Sequence, residues 1–260
     1  LALEALPEGF APINGADGGA TISVITSDIV DDTPADFGRV AITAPVAADY
    51  TDANGVPVTG LTLNPADGVI TVAAGTPAGE YNVRYEICSL ADASNCSEVV
   101  EIVTVSAADI LAVDDAVAGV NGFEGLDDAL NVYTNNGGGA DQLNGVDTNA
   151  TDTTLEVRGA ATPINGGPVP VLDVNDGTVD VPAGTPAGTY TIAYRLCEAL
   201  NPANCSDATI TVTVDAAPIV ANDDAVAMVD GQLGQTGVLD IFADNGSGTD
   251  TLNGADTTIA

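Results

Sequence analysis

An all-β fold, laid out as tandem sandwich modules of about 109 residues, follows from three observations. The chain repeats itself: Ala74-Gly75-Thr76-Pro77-Ala78-Gly79 returns as Ala183-Gly184-Thr185-Pro186-Ala187-Gly188, 109 positions on. Tyr81, Tyr85, Cys88 and Cys96 likewise return as Tyr190, Tyr194, Cys197 and Cys205. Apolar residues then alternate with polar ones at the strand period, with no sustained helical spacing. Finally, Asn-Gly, Asp-Gly and Pro-rich turn signals interrupt these runs at short intervals. The period is too long for a solenoid unit of roughly 20–50 residues and suits a self-contained small domain.

Within the second repeat the strand candidates are Leu130–Thr134, Thr154–Arg158, Val169–Val174 and Thr178–Val181, then the clearest one, Thr189–Cys197. There Tyr190, Ile192, Tyr194 and Leu196 share one face, and Thr191, Ala193, Arg195 and Cys197 the other, which marks a strand with one buried side. The next strand, Ala208–Val214, turns Ala208, Ile210, Val212 and Val214 inward. Its counterpart in the first repeat reads Val99, Glu101, Val103 and Val105, so an acid would enter the core; a bulge near 100–102 is expected to turn it away. Ile219–Val226 leads into a further module. About seven short strands in roughly 100 residues is the pattern of an immunoglobulin-like sandwich.

The junctions Ala107-Ala108-Asp109 and Ala216-Ala217-Pro218 divide the chain into modules at 1–106 and 107–215, with the opening strands of a third, incomplete one at 216–260. A lone pair of strands is marginal in water. Residues 216–260 are therefore expected to be ordered only beside further strands, supplied by a continuing chain or by another copy.

Composition narrows function. Against 38 Asp and Glu stand four Arg and no Lys, for a formal net charge of −34. This field repels nucleic acid and anionic membrane surfaces, and it attracts cations. The 45% of hydrophobic residues separates the acidity from disorder. Without His, neither the usual Ser-His-Asp or Cys-His nucleophile arrangements nor a His-based zinc site can be assembled, and no carboxylate pair stands out for acid–base work. The expectation is a chain that is not an enzyme. No stretch approaches the roughly 20 apolar residues of a membrane span, so no direct membrane insertion is expected, and no signal peptide is visible.

The four cysteines admit free thiols, a metal site or disulfides. Because each repeat carries its own pair with both members on the outward face at the ends of a hairpin, the pairing Cys88–Cys96 and Cys197–Cys205 is expected, which implies an oxidising compartment. The candidate metal ligands are acidic: Asp114-Asp115 and Asp223-Asp224 just after each junction, with Asn135, Asn136 and Asp141, and Asp244, Asn245 and Asp250, in glycine-rich loops that can fold toward them. Oxygen donors on flexible loops suit Ca2+, while the bland alternative is turn chemistry without a metal.

The order of elements resembles the immunoglobulin-like and cadherin-like tandem repeats of giant bacterial cell-surface adhesins and surface filaments. The resemblance is carried by Pro218-Ile219-Val220-Ala221-Asn222-Asp223-Asp224, by Ala183–Gly188 leading to Tyr190, by Cys197…Asn204-Cys205, and by Thr209–Val214. It implies an extracellular, cell-surface stalk or adhesive fibre whose partners are copies of itself or further repeats of the same chain. The alternative is a binding module for a surface glycan or protein.

Overall fold

The structure is a computed structural model that describes residues 2–134, 136–226 and 228–258. Among the described residues the fold is all-β, a sandwich architecture, with one short 3-10 turn at Ala47–Asp49. No helix among them is long and apolar enough to cross a membrane. The chain forms two compact units: Leu1–Leu111 with Gln142–Thr154 and Leu196–Ser206, and Ala112–Asp141 with Leu155–Arg195 and Asp207–Ala260.

In the first unit one sheet runs in the order Ile13–Asn14, Cys96–Ser106, Gly79–Ser89, Val40–Thr43, and Tyr50–Asp52 also pairs with Gly79–Ser89. The second sheet is Gly19–Ser23, Val69–Val72, Leu61–Leu63. The long antiparallel hairpin is the backbone of this sheet, pairing residue for residue from Gly79↔Val105 to Cys88↔Cys96. Alternation decides its faces: Tyr81, Val83, Tyr85 and Ile87 are buried while Arg84 is exposed. They join Val24, Val30, Ile70 and Val103, all fully buried, in one core. Each such side chain contributes roughly 1.5–3 kcal/mol by leaving water. The pattern recurs in Tyr190, Ile192, Tyr194 and Leu196, and in the sheet order Asp115–Asn121, Cys205–Asp215, Gly188–Glu198, Thr153–Gly159.

The repeated Ala-Gly-Thr-Pro-Ala-Gly segment has a mechanical reason. Gly15 O accepts hydrogen bonds from Gly75 N and Thr76 N at 2.8 and 3.1 Å, and Gly122 O accepts one from Gly184 N at 2.8 Å. A Cβ on Gly15 or Gly122 would collide with the carbonyl of Thr76 or Thr185, so only glycine admits the crossing. The loop is then stapled by its own side chains. Thr76 Oγ1 donates to Ala73 O at 2.6 Å, and Tyr81 Oη to Pro77 O at 2.7 Å. Thr185 and Tyr190 make the same two bonds with Pro182 and Pro186.

Four strand expectations need correction. The hairpin carries no bulge near 100–102: its register is continuous and Glu101 points into the core with 0% exposure. The acid is held because hydrogen-bonding groups meet it there. The strand expected at Leu130–Thr134 lies at Leu126–Asn131, since Asn131 O accepts Thr134 N and turns the chain. The stretches expected at Val169–Val174 and Ile219–Val226 shorten to Val171–Leu172 and Ile219–Val220. Pro168 and Pro170 lack the donors a longer strand needs, and Asp173 begins a turn closed by Gly177 N. Among the described residues no strand pairs with 221–226, whereas the matching Asp115–Asn121 lies parallel to Cys205–Asp215.

Cys88 is bonded to Cys96 and Cys197 to Cys205, with none free among the described residues. Closing so short a loop is worth roughly 2–3 kcal/mol in the chain-entropy model. Reduction is therefore expected to lower the melting temperature while leaving a cooperative transition, because the core is untouched. Loss of the transition on reduction, followed by circular dichroism, would show that the disulfides hold the fold.

Candidate functional site

The inward face of Gly188–Glu198 places Tyr194 mid-strand, so its ring is in the core and its hydroxyl must find polar partners there. It finds four oxygens: Val113 O at 3.0 Å, Asp115 Oδ2 at 3.2 Å, and both Asp141 oxygens at 2.9 and 3.0 Å. Asp115 is 2% exposed and Asp141 0%. Asn136 Nδ2 donates to Asp115 Oδ1 at 3.2 Å, and Val113 N to Asp141 Oδ1 at 2.7 Å. One phenolic hydrogen thus serves two buried carboxyls. Burial pushes Asp115 up to about 7, and the charge of Asp141 adds to the rise while the Asn136 amide opposes it. Burial likewise lifts Asp141 to about 6 against the bonds from Val113 N and Tyr194.

The first repeat builds the same cluster from different residues. The Tyr85 hydroxyl donates to Val24 O at 2.7 Å, with Glu101 Oε1 at 3.4 Å and Asp28 Oδ2 at 3.5 Å. Leu6 N donates to Asp28 Oδ1 at 2.7 Å and Glu8 N to Glu101 Oε2 at 2.8 Å. Burial raises Asp28 to about 6, and burial together with the neighbouring Glu8 raises Glu101. Both phenols are driven upward as well, by burial and then by the adjacent carboxylates, so they stay protonated donors.

The expected metal ligands therefore separate. Asp115, Asn136 and Asp141 converge, whereas Asp114 is exposed and accepts Thr209 N at 2.8 Å on Oδ1. In the third repeat Asn245 Nδ2 donates to Asp224 Oδ1 at 3.3 Å, and Asn222 N to Asp250 Oδ1 at 2.7 Å. Asp223 is exposed, and Asp244 caps its own turn by accepting Gly246 N and Gly248 N. Asn135 lies outside the described residues. Among those described, ligand atoms of three His, Cys, Asp or Glu residues lie within 4.8 Å of one another only at Glu86, Cys88 and Cys96, where the sulfurs are already bonded to each other.

Sequence reasoning took the tyrosines as core and overlooked Asp28 and Glu8. The available signal was the polar tip of an inward-facing tyrosine, which demands an acceptor in the core. A second recurring contact also escaped it. Asn14 Nδ2 donates to Asn144 Oδ1 at 2.7 Å, and Asn144 Nδ2 to Asp17 Oδ2 at 3.1 Å. Asn121, Asn253 and Glu124 repeat the chain of bonds, both at 2.7 Å. All four arginines pair with acids within 3.7 Å, on the solvent side, where such pairs are worth at most about 1 kcal/mol.

A carboxyl whose folded value is raised holds its proton in the native state over a range where the unfolded chain has released it. Stability then falls as pH rises. With values near 6, 7 and 6 for Asp28, Asp115 and Asp141 against 3.8 unfolded, the metal-free melting temperature should decline steadily between about pH 4 and pH 7. A rising or flat profile would contradict the cluster. Tyr194→Phe should cost about 1–3 kcal/mol by stranding buried acceptors. Conversely, Glu101→Ile, which copies Ile210 of the second repeat, should raise stability above neutral pH by about 1–4 kcal/mol by removing a buried charge; a loss at pH 8 in urea unfolding would argue against it.

No family model matches the chain, and no curated protein matches it. Among solved structures it is similar to the human desmocollin-1 ectodomain, at 12% identity and TM-score 0.31, over 85% of this chain and 41% of that one. Similar too are mouse cadherin-23 repeats, at 12% identity and TM-score 0.28 over 82% and 62%. A SusE-like, surface-located polysaccharide-binding protein from the Bacteroides thetaiotaomicron heparin utilisation locus aligns at 12% identity and TM-score 0.27, over 86% and 35%. The chain spans less than half the length of the desmocollin structure. At TM-scores of this size the likeness says nothing about ligand or role.

Proposed function

We propose that the chain is a non-catalytic structural segment of a long extracellular cell-surface protein, a spacer and adhesive fibre built of modules at 1–106 and 107–215 and the opening strands of a third at 216–260. The observation that carries this reading is repetition down to single contacts: the disulfide hairpin, the glycine crossing and the tyrosine–carboxyl cluster all recur. A catalytic site is ordinarily built once, whereas a spacer gains by copying a unit. Two further features support the reading. The disulfides suit an oxidising exterior, and the −34 charge keeps such modules apart from one another and from anionic surfaces.

Its partners in this reading are further modules of the same kind, in the same chain or in another copy. Calcium is the cation it offers these carboxyls, with buried Asp115 and Asp141 and Asn136 as one donor set and half-buried Asp224 and Asp250 and Asn245 as the other. Neutralisation by a divalent ion would replace neutralisation by protons.

Force spectroscopy tests the spacer reading. Pulling the chain should release modules one by one, in steps of roughly 30–40 nm, the length of about 100 residues extended at 3.3–3.6 Å each. A single smooth extension without steps would overturn it. For calcium, addition at pH 8 should raise the melting temperature and flatten its pH dependence. Unchanged curves with and without chelator would leave protons as the neutralising species.

A further inference from the structure

A groove of about 600 Å³ opens in the first unit beside the bond between Asn144 and Asp17. Its walls include Leu143, Val146 and Leu200, and its rim carries Asp17, Asp147 and Asp152. No basic residue lines it. Each rim carboxylate is bonded through one oxygen: Asp17 Oδ2 to Asn144, Asp147 Oδ1 to Gln142 and Asp152 Oδ2 to Asn149. Among the described residues no hydrogen bond or ion pair reaches the second oxygen of any of the three. Thr148, 6% exposed, also lines the groove, and its buried hydroxyl has no hydrogen-bond partner among the described residues. Glu198 lies at the base but is committed elsewhere, to Asn201, Asn204 and Ala108 N.

We propose that this groove binds a lysine or arginine side chain presented by a partner protein. A bare cation requires a shell of oxygens at roughly 2.3–2.6 Å, which apolar walls do not furnish. A long side chain fits both halves of the lining: its methylene stem lies along Leu143, Val146 and Leu200 while its charged head reaches the rim carboxylates. The volume falls in the range of ligand sites, roughly 300–1,000 Å³.

The partner is not a second copy of this chain. That chain has no lysine, and its four arginines are already paired with acids. The rim also belongs to the repeat. Glu124 stands where Asp17 does, Asn253 where Asn144 does, and Asp256 and Thr257 where Asp147 and Thr148 do. The bond from Asn253 to Glu124 reproduces that from Asn144 to Asp17. A fibre of such repeats would present one basic-residue site wherever one repeat follows another, which turns a weak contact into a multivalent one. The site goes beyond the spacer reading and would stand if that reading failed.

Fluorescence anisotropy with a labelled tri-lysine peptide tests the proposal, at about 0.15 M salt so that distant charges are screened over roughly 8 Å. Asp147→Asn together with Asp152→Asn should weaken binding at least about fivefold, because these charges face the ligand directly. The charge-matched control Asp32→Asn with Glu80→Gln, outside the groove, should change it less than about twofold, as expected of a screened field. Acetylation of the three lysines should abolish binding. On the unaltered protein, amide shifts caused by the peptide should concentrate at Leu143, Val146 and Leu200. Equal weakening by both pairs of substitutions, undiminished binding of the acetylated peptide, shifts spread evenly over the surface, or no binding at millimolar peptide would each overturn it.

Discussion

The hydroxyl of one inward-facing tyrosine, Tyr85 in the first repeat and Tyr194 in the second, sets the terms for the packing around it. A phenol in a core must be paired, and its ring cannot withdraw without opening the sandwich. In the second repeat the partners come from two separate places in the sequence: the Val113 backbone and Asp115 at the start of a strand, and Asp141 after a glycine-rich loop. They meet only when strand, loop and hairpin are all in place, so the cluster reports completion of the fold. Its cost is the desolvation of two carboxyls with one hydrogen between them, visible in their raised proton affinity. A buried polar network of this kind gains specificity more readily than stability.

Around that centre the other repeated residues act as fasteners. The hairpin supplies a straight, continuous register with a disulfide at its tip. The Ala-Gly-Thr-Pro-Ala-Gly loop anchors the opposite end by hydrogen-bonding the backbone of Gly15 or Gly122. Between the two, side chains alternate strictly, so the outward face is free to carry charge. The protein is therefore acidic in two different senses. Most carboxylates are solvated and give the surface its field, while a few are buried, drawn toward protons and tied to the core.

The comparison of repeats shows how the same cluster survives different sequences. Glu101 replaces an aliphatic residue, Ile210, at a core position and reaches the Tyr85 hydroxyl and Glu8 N from there. Glu8 stands near the place that Asp115 takes in the next repeat. The third repeat holds Asp224 and Asp250 in the same local bonds to Asn245 and to Asn222 N, although no tyrosine joins them among the described residues. Local hydrogen bonding thus assembles the acidic half of the cluster, and the hairpin contributes the donor that unites it.

Fold class, repeat length, inward faces and cysteine pairing were legible in the sequence, because alternation and repetition are local or periodic properties that a linear reading can detect. Tyr81, Val83, Tyr85 and Ile87 could be placed inward from parity alone. Strand ends were less legible: a partner's reach decides them, and Val171–Leu172 is shorter than its apolar run. The fate of Glu101 was misjudged because parity placed it in the core while composition argued against it, and only the nearby Glu8 N and Tyr85 hydroxyl resolve the conflict. Asp114, Asp115, Asn135, Asn136 and Asp141 were singled out as a group, yet Asp114 faces solvent. Adjacent residues of a strand point to opposite sides. Which carboxyl of an Asp-Asp pair is buried, and which tyrosine meets it, depends on contacts across 53 to 79 residues of sequence. Tertiary structure alone decided that.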